Sequence, residues 1–432
     1  MTTKPVFLLL PLCFTIVSCK KEKKSNPDIG DPKKVAYEAD ILQLSEDEKY
    51  DKVLGALVGS AIGDAMGAST EMWHRNEIQL KYGYITGLTP AVRPQSPEGT
   101  WRNNLVAGAT TDDTRWKYLM AQYLTKNKDA TDADHFAQFI TDYYQHMVKG
   151  LEDKELLDDT GILDEKIKKI DWIKEWARVS LAYQEGPKAY LKALNRFYGG
   201  EMSCAGQLYS PMFGIIAPNA ETAYTHAYEH SIFDLGYAKD ITSLVAAMTH
   251  IAMRTATMDS IINTATFVDP NGYQDSRLVG RIPYSVADAS VKKVLSVKQM
   301  LIEDSLIDKE YPSYHMPKSF TGTKKDWIRQ EMLYRYLEKD EKAIAFHSGE
   351  IWQILITAFA FGEGDFEKTL QFIINYGRDN DTVGAVAGMI LGAKDGYKNL
   401  PVKLRDEVLR GSKEVMNIDL EKSAQELVEI MP

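Results

Sequence analysis

Two sets of four glycines constrain this chain more than any other feature. Gly55, Gly59, Gly63 and Gly67 punctuate one apolar run, and Gly384, Gly388, Gly392 and Gly396 punctuate another. In a helix, a four-residue spacing keeps the glycines on one slowly drifting face. Each costs a helix interior about 1 kcal/mol relative to Ala, so four in succession need compensation. Close approach by a neighbouring helix backbone supplies it. Both helices are expected deep in a bundle, with each other as one candidate pairing. The rival reading is a membrane dimerisation face of small residues. Asp64, Lys394 and Asp395 within the runs argue against a bilayer.

The rest of the chain carries the same helical signature. Apolar residues recur at three- and four-residue spacing over 51–68, 115–124, 135–148, 172–183, 241–266, 350–361, 366–376 and 383–397. Alternating strand patterns are scarce, and Ile282-Pro283-Tyr284-Ser285-Val286 is too short and holds a proline. The expected fold class is all-α, one compact multi-helix domain over 46–432. Irregular segments at 74–110, 199–222 and 268–286 are expected to wall a cleft. No repeat of solenoid length is present.

The net charge of −10 excludes a broad basic surface for nucleic acid. At the N-terminus, Lys4 precedes an apolar run from Val6 to Val17 that is too short to span a bilayer. Ile16-Val17-Ser18-Cys19 resembles a bacterial lipobox. That resemblance implies a signal peptide over 1–18, lipidation of Cys19, a flexible tether over 19–45, and a periplasmic or surface-exposed envelope protein held to a membrane by acyl chains. Cys13 would leave with the signal, so Cys204 remains without an intrachain disulfide partner and reads as a small buried residue.

Two acidic segments carry the chemistry. Thr111-Asp112-Asp113-Thr114 precedes one helical run, and Asp379-Asn380-Asp381-Thr382 precedes the second glycine-striped helix. Each alone is explained as a capped helix start. Adjacent carboxylates exceed what capping needs, and they repel one another unless a cation sits between them. Together the segments offer an all-oxygen site suited to hard cations such as Mg²⁺.

The run Gly55-Ala56-Leu57-Val58-Gly59-Ser60-Ala61-Ile62-Gly63-Asp64-Ala65-Met66-Gly67, followed by Glu71, resembles the opening motif of the ADP-ribosylglycohydrolase family. Thr111-Asp112-Asp113-Thr114 resembles its second motif. Asn375 to Ala385 resembles its last, with Gly377-Arg378-Asp379-Asn380-Asp381-Thr382 standing where the family usually has Gly-Gly-Asp-Thr-Asp-Thr. The motifs occur in the family's order. The resemblance implies an orthogonal bundle of helices, two Mg²⁺ ions, and hydrolysis of the bond joining ADP-ribose to a side chain. It implies Thr111, Asp112, Asp113, Asp379, Asp381 and Thr382 as metal ligands. Asp112, Asp113, Asp381 and Glu71 are the carboxylates available for catalysis. The transition state has oxocarbenium character, which carboxylates stabilise.

Cys204 to Pro218 fits the family's middle segment loosely. Ser210 is its candidate for substrate binding, and Met212-Phe213 departs from the Met-Arg of many members. Thr249-His250 resembles a family pair and makes His250 a second substrate-binding candidate. The segment 268–345 exceeds a minimal member and is expected as a lid or partner surface. The implied ligand is ADP-ribose or another ribosyl group, with a monomeric chain. The alternatives are a non-catalytic sugar-binding lipoprotein and a hydrolase of a different glycosyl substrate.

Overall fold

The computed structural model describes residues 44–92, 104–127, 132–151, 166–167, 170–255 and 257–432. The lipobox, Cys19 and all of the tether before Leu44 lie outside the described residues. Eighteen α-helices form the body among the described residues. They are α1 (Glu46–Gly67), α2 (Arg75–Tyr82), α3 (Asp112–Lys126), α4 (Ala133–Lys149), α5 (Lys174–Glu185), α6 (Pro187–Tyr198), α7 (Pro211–Ile216), α8 (Ala220–His230) and α9 (Ala238–Ala252). They continue with α10 (Met258–Phe267), α11 (Ile282–Gln299), α12 (Ile307–Glu310), α13 (Lys324–Leu337), α14 (Ser348–Gly362), α15 (Phe366–Tyr376), α16 (Asn380–Asp395), α17 (Val402–Arg410) and α18 (Leu420–Val428). Strand structure among the described residues is confined to two antiparallel pairs of two-residue strands. Trp73–His74 (β1) pairs with Gly377–Arg378 (β4), and Ala91–Val92 (β2) with Asn104–Leu105 (β3). The fold is all-α. No described helix is long and apolar enough to cross a membrane.

The two striped helices, α1 and α16, pack antiparallel against each other through their glycines. A Cβ on Gly55 would meet the carbonyl oxygen of Gly392 at 2.5 Å; one on Gly59 would overlap the carbonyl of Gly388, and one on Gly63 that of Gly384. At the far end, a Cβ on Gly67 would overlap the backbone of Asp381. Backbone contact replaces the missing side chains, and the pair forms the centre of the core. Val53, Ala56, Val58, Ala61 and Ile62 of α1 are fully buried, as are Val383, Val386, Ala387 and Ile390 of α16. Ser45 starts α1 with a reciprocal capping box to Glu48.

The structure differs from the sequence reading in four segments. The run 241–266 is two helices, not one. It breaks after Ala252, where Thr257 N–H bonds the Thr255 hydroxyl at 3.2 Å, a side-chain alternative to the helical ladder. The supposedly irregular segment 74–110 contains α2, capped by His74 Nδ1, which accepts from Asn76 N–H. The segment 199–222 contains α7 and the start of α8. The segment 268–345 is packed into the body. Ala287, Val294, Val297, Leu333 and Tyr334 join the main core. Arg281 fixes its start by a bidentate pair with Asp240, at 2.8 and 2.6 Å, and both side chains are fully buried.

Candidate active site

The packing of α1 on α16 brings three distant stretches of chain to one place. Asp64 sits in the last turn of α1, Asp112 and Asp113 open α3, and Asp379 to Thr382 open α16. Trp116 anchors the inner face of α3 against Trp172, Trp176 and Tyr209, with ring centroids at 5.4, 4.5 and 5.4 Å. The start of α3 is thereby held over the start of α16. Thr382 donates to Asp113 Oδ2 at 2.9 Å, and Thr111 donates to Asp381 Oδ2 at 3.2 Å. Helix N-termini carry partial positive charge, which suits carboxylates there.

Asp64 organises this junction. Its Oδ1 accepts from the Thr111 amide and hydroxyl, both at 2.9 Å. Its Oδ2 accepts from the Thr114 amide at 3.0 Å and hydroxyl at 2.6 Å. Four donors on one buried carboxylate fix the first turn of α3 relative to α1. With both oxygens so engaged, Asp64 positions the cluster.

Glu71, Asp112, Asp113, Asp379 and Asp381 are all buried. Burial, followed by the charge of Asp113, pushes Asp64 and Asp379 each up to about 7. Asp381 is held well above the usual carboxylate range, by burial first and then by Glu71, Asp379, Asp113 and Asp64. Lys117 supplies one compensating cation, its ammonium 3.2 Å from Asp113 Oδ1. Asp381 Oδ1 is buried with no hydrogen-bond partner among the described residues.

This donor set fits a hard cation. It is rich in carboxylate and hydroxyl oxygens, crowded with negative charge, and leaves one carboxylate oxygen unpartnered. As the side chains stand, no group of three or more His, Cys, Asp or Glu among the described residues forms a ready cation cage. Threonine-to-carboxylate hydrogen bonds occupy oxygens that a cation would take. Seating one exchanges those bonds for metal–oxygen bonds.

Backbone strain flanks the cluster. Met72, next to Glu71, and Arg378, next to Asp379, have φ of 63° and 62° without being glycine. Such conformations cost roughly 1–3 kcal/mol each. They meet through Met72 N–H, which donates to the Arg378 carbonyl at 2.7 Å. Arg378 is further clamped by Glu350 at 2.7 and 3.0 Å. Asn380 points away from the acidic cluster and bonds the Thr70 hydroxyl and the Ile374 carbonyl, each at 2.9 Å.

The remaining candidates are engaged elsewhere. Ser210 is fully buried and donates to the Thr242 carbonyl at 2.9 Å, tying the start of α7 to α9. His250 is fully buried in α9, its Nδ1 3.1 Å from Arg254 Nη1. Sequence reasoning missed Asp64 as a member of the site. It also missed Lys117, whose i, i+4 spacing from Asp113 was the available signal, and the approach of Cys204 to within 3.7 Å of Asp379 Oδ2.

The ADP-ribosylglycohydrolase family model matches residues 45–431. The chain is 30% identical over 95 residues to the uncharacterized protein YegU of Escherichia coli (strain K12), covering 22% of this chain and 27% of that protein. It is 32% identical over 90 residues to the ADP-ribosyl-[dinitrogen reductase] glycohydrolase of Rhodospirillum rubrum, covering 21% of this chain and 28% of that protein. The matched stretch thus spans about a quarter of either relative. A solved structure, an ADP-ribosylglycohydrolase-related protein complex, superposes with a TM-score of 0.48 at 17% identity, covering 89% of this chain and 100% of that one.

Proposed function

Since the chain belongs to the ADP-ribosylglycohydrolase family, we propose that it hydrolyses a ribosyl glycosidic bond, with ADP-ribose joined to a side chain or small conjugate as its substrate class. One observation carries the reading. Buried carboxylates from three distant segments converge at two helix starts, and one oxygen, Asp381 Oδ1, has no partner among the described residues.

In this reading Thr111, Asp112, Asp113, Asp379, Asp381 and Thr382 hold two Mg²⁺ ions. Bound there, the ions supply positive charge that orients ribose hydroxyls and acidifies a water. The chain's own groups do the rest. Carboxylate charge concentrated in a buried site favours the oxocarbenium-like transition state. Glu71, outside the proposed ligand set yet close enough for its charge to raise Asp381, is the proposed acceptor of the attacking water's proton. Asp64 keeps Thr111 and Thr114 in place, and burial of the cluster keeps bulk water from screening it. The lipid anchor at Cys19 belongs to the same proposal and sets the enzyme at the cell envelope.

Calorimetric titration of ADP-ribose into the protein, with Mg²⁺ and then with chelator, tests the ligand. Release of ADP-ribose from arginine- and serine-linked conjugates tests the reaction. Mg²⁺-dependent binding together with release is the expected result. Neither binding nor release under any condition would reject ADP-ribose as the substrate class.

A further inference from the structure

Glu71 and Asp379 are each bracketed by residues that bond to one another. On one side Asn380 Nδ2 donates to the Thr70 hydroxyl at 2.9 Å, and on the other Met72 N–H donates to the Arg378 carbonyl at 2.7 Å. The two cross-links run antiparallel, Thr70 to Asn380 and Met72 to Arg378, so Glu71 is held opposite Asp379. Trp73 N–H closes a turn onto the Thr70 carbonyl at 2.9 Å, with Glu71 and Met72 at its centre. The β1–β4 ribbon continues the pairing, Trp73 against Arg378 and His74 against Gly377.

One stretch of chain grips both strands of this ribbon. Arg75, the residue after β1, reaches Glu331 at 2.8 Å and Glu338 at 2.5 Å. Arg378 spreads its guanidinium over Glu350, at 2.7 and 3.0 Å, and the Lys342 carbonyl, at 2.8 Å. Glu350 is buried and is itself aimed by the Lys342 amide, which donates to it at 2.6 Å. Arginine is a costly choice at a φ of 62°, which glycine takes without strain. A non-glycine residue keeps such a backbone only where its surroundings over-determine it. The three guanidinium bonds do so here, and the side chain that makes them is what the position gains.

We propose that Arg378 is a positioning residue: clamped by Glu350 and the Lys342 carbonyl, it fixes the β1–β4 ribbon and so sets Glu71 against Asp379. The proposal rests on the reading of Glu71 as proton acceptor and Asp379 as metal ligand. It also gives the far end of the segment 268–345 a task, since Glu331, Glu338 and the Lys342 carbonyl hold the ribbon in place. A guanidinium fork spans two acceptors in a fixed geometry, which the single ammonium of lysine does not. Such support matters because misplacing a reacting group by about 1 Å costs about 100-fold in rate.

The test uses the full chain and three variants. Arg378→Gly accepts the backbone and removes the clamp. Arg378→Gly combined with Glu350→Gln does the same and leaves no buried carboxylate facing a missing cation. Arg378→Lys keeps the charge without the fork. Amide hydrogen exchange, read by mass spectrometry on chelated protein, follows the ribbon. Peptides over 70–76 and 377–381 are expected to exchange about tenfold faster in all three variants, with the double variant melting near the parent. Mg²⁺ affinity by calorimetry is expected to fall about tenfold, and kcat on an ADP-ribosyl conjugate about 100-fold with KM unchanged. Lower melting temperatures with parental kcat and Mg²⁺ affinity would reduce the clamp to a stabilising contact and overturn the proposal. Parental exchange rates in the double variant would overturn it as well. A parent that neither binds Mg²⁺ nor releases ADP-ribose overturns the functional reading, and this proposal with it. A parent that does both, beside variants that match it, overturns this proposal alone.

Discussion

Gly63 and Gly384 touch backbone to backbone: a Cβ on Gly384 would stand 2.7 Å from the Gly63 carbonyl oxygen, and one on Gly63 would overlap the Gly384 carbonyl. No side chain in α1 can move to relieve either clash, because the obstacle is the partner's main chain. Gly63→Ala is therefore expected to destabilise the protein by about 2–3 kcal/mol despite the better helix propensity of Ala. Gly87→Ala is the control, since its added Cβ would meet only Leu404 Cδ2 at 3.8 Å. Denaturant unfolding of the two variants checks this. Equal stabilities would mean the helices can part at no cost.

Asp64→Asn keeps the size of the side chain and removes its ability to satisfy all four donors. Its amide NH₂ would face Thr111 or Thr114, each of which already donates through amide and hydroxyl. A loss of about 2–3 kcal/mol is expected from donors left unpaired in a buried site. Because Asp64 fixes the start of α3, weaker binding of divalent ions should accompany the loss. Thermal melts with and without Mg²⁺ separate the two effects. A variant that binds Mg²⁺ like the parent would remove Asp64 from the site's support.

Arg281 and Asp240 form a fully buried pair that also receives the Tyr224 hydroxyl at 2.8 Å. Arg281→Met leaves Asp240 buried without its cation and is expected to cost about 3–5 kcal/mol. The double variant Asp240→Leu, Arg281→Met buries no charge and should recover most of that. Unfolding free energies of both variants check the argument. A double variant as unstable as the single one would place the cost in packing instead.

What was legible in the sequence follows physical range. The glycine stripes are readable because four-residue periodicity is a local property, and it names the face of each helix. It does not name the partner, which only the packing of Gly55 on Gly392 reveals. Asp113 and Asp381 stand out because paired carboxylates, adjacent at Asp112-Asp113 and spaced by two at Asp379 and Asp381, exceed what capping an apolar helix needs. Asp64 is a single acid at a helix end, and its meaning lies in Thr111 and Thr114, 47 and 50 residues away. Cys204 is further still from its carboxylate, 175 residues in sequence. The break between α9 and α10 escapes periodicity because apolar residues keep helical spacing across it.

The crowding of carboxylates has a pH signature. Asp64 and Asp379, with an ordinary value of 3.8, are each pushed up to about 7, chiefly by burial and then by Asp113. The unfolded chain gives up these protons near pH 4, whereas the folded protein keeps them to about 7. Their contribution to stability is complete below pH 4 and disappears as pH rises through 7. His230 works in the opposite direction, because burial lowers it to about 4 and the folded state then resists its protonation. Comparing chelated with Mg²⁺-saturated protein cancels the histidine effect. Mg²⁺ favours the ionised carboxylates, so the stabilisation it gives should be larger at pH 8 than at pH 5. A Mg²⁺-induced shift in melting temperature that is equal at both pH values would contradict this account.

Asp381 separates catalysis from mere capture of a ligand. Its carboxylate combines an oxygen that accepts from Thr111 with one that has no partner among the described residues, and burial and its acidic neighbours hold it well above the ordinary range. Replacing it with Ala removes a buried carboxyl whose ionisation burial and its acidic neighbours oppose, so the chelated variant should be at least as stable as the parent even though a methyl group fills less space. In the same variant the proposed ligand set loses its central member, and turnover of an ADP-ribosyl conjugate should fall by at least about 100-fold, equivalent to about 2.7 kcal/mol of transition-state stabilisation. Single-turnover release of ADP-ribose, measured beside a melting curve, reads both quantities on one preparation. A folded Asp381→Ala protein with parental turnover would remove the cluster from the chemistry. A folded parent that binds ADP-ribose without releasing it from any conjugate would instead identify a binding protein built on a hydrolase fold.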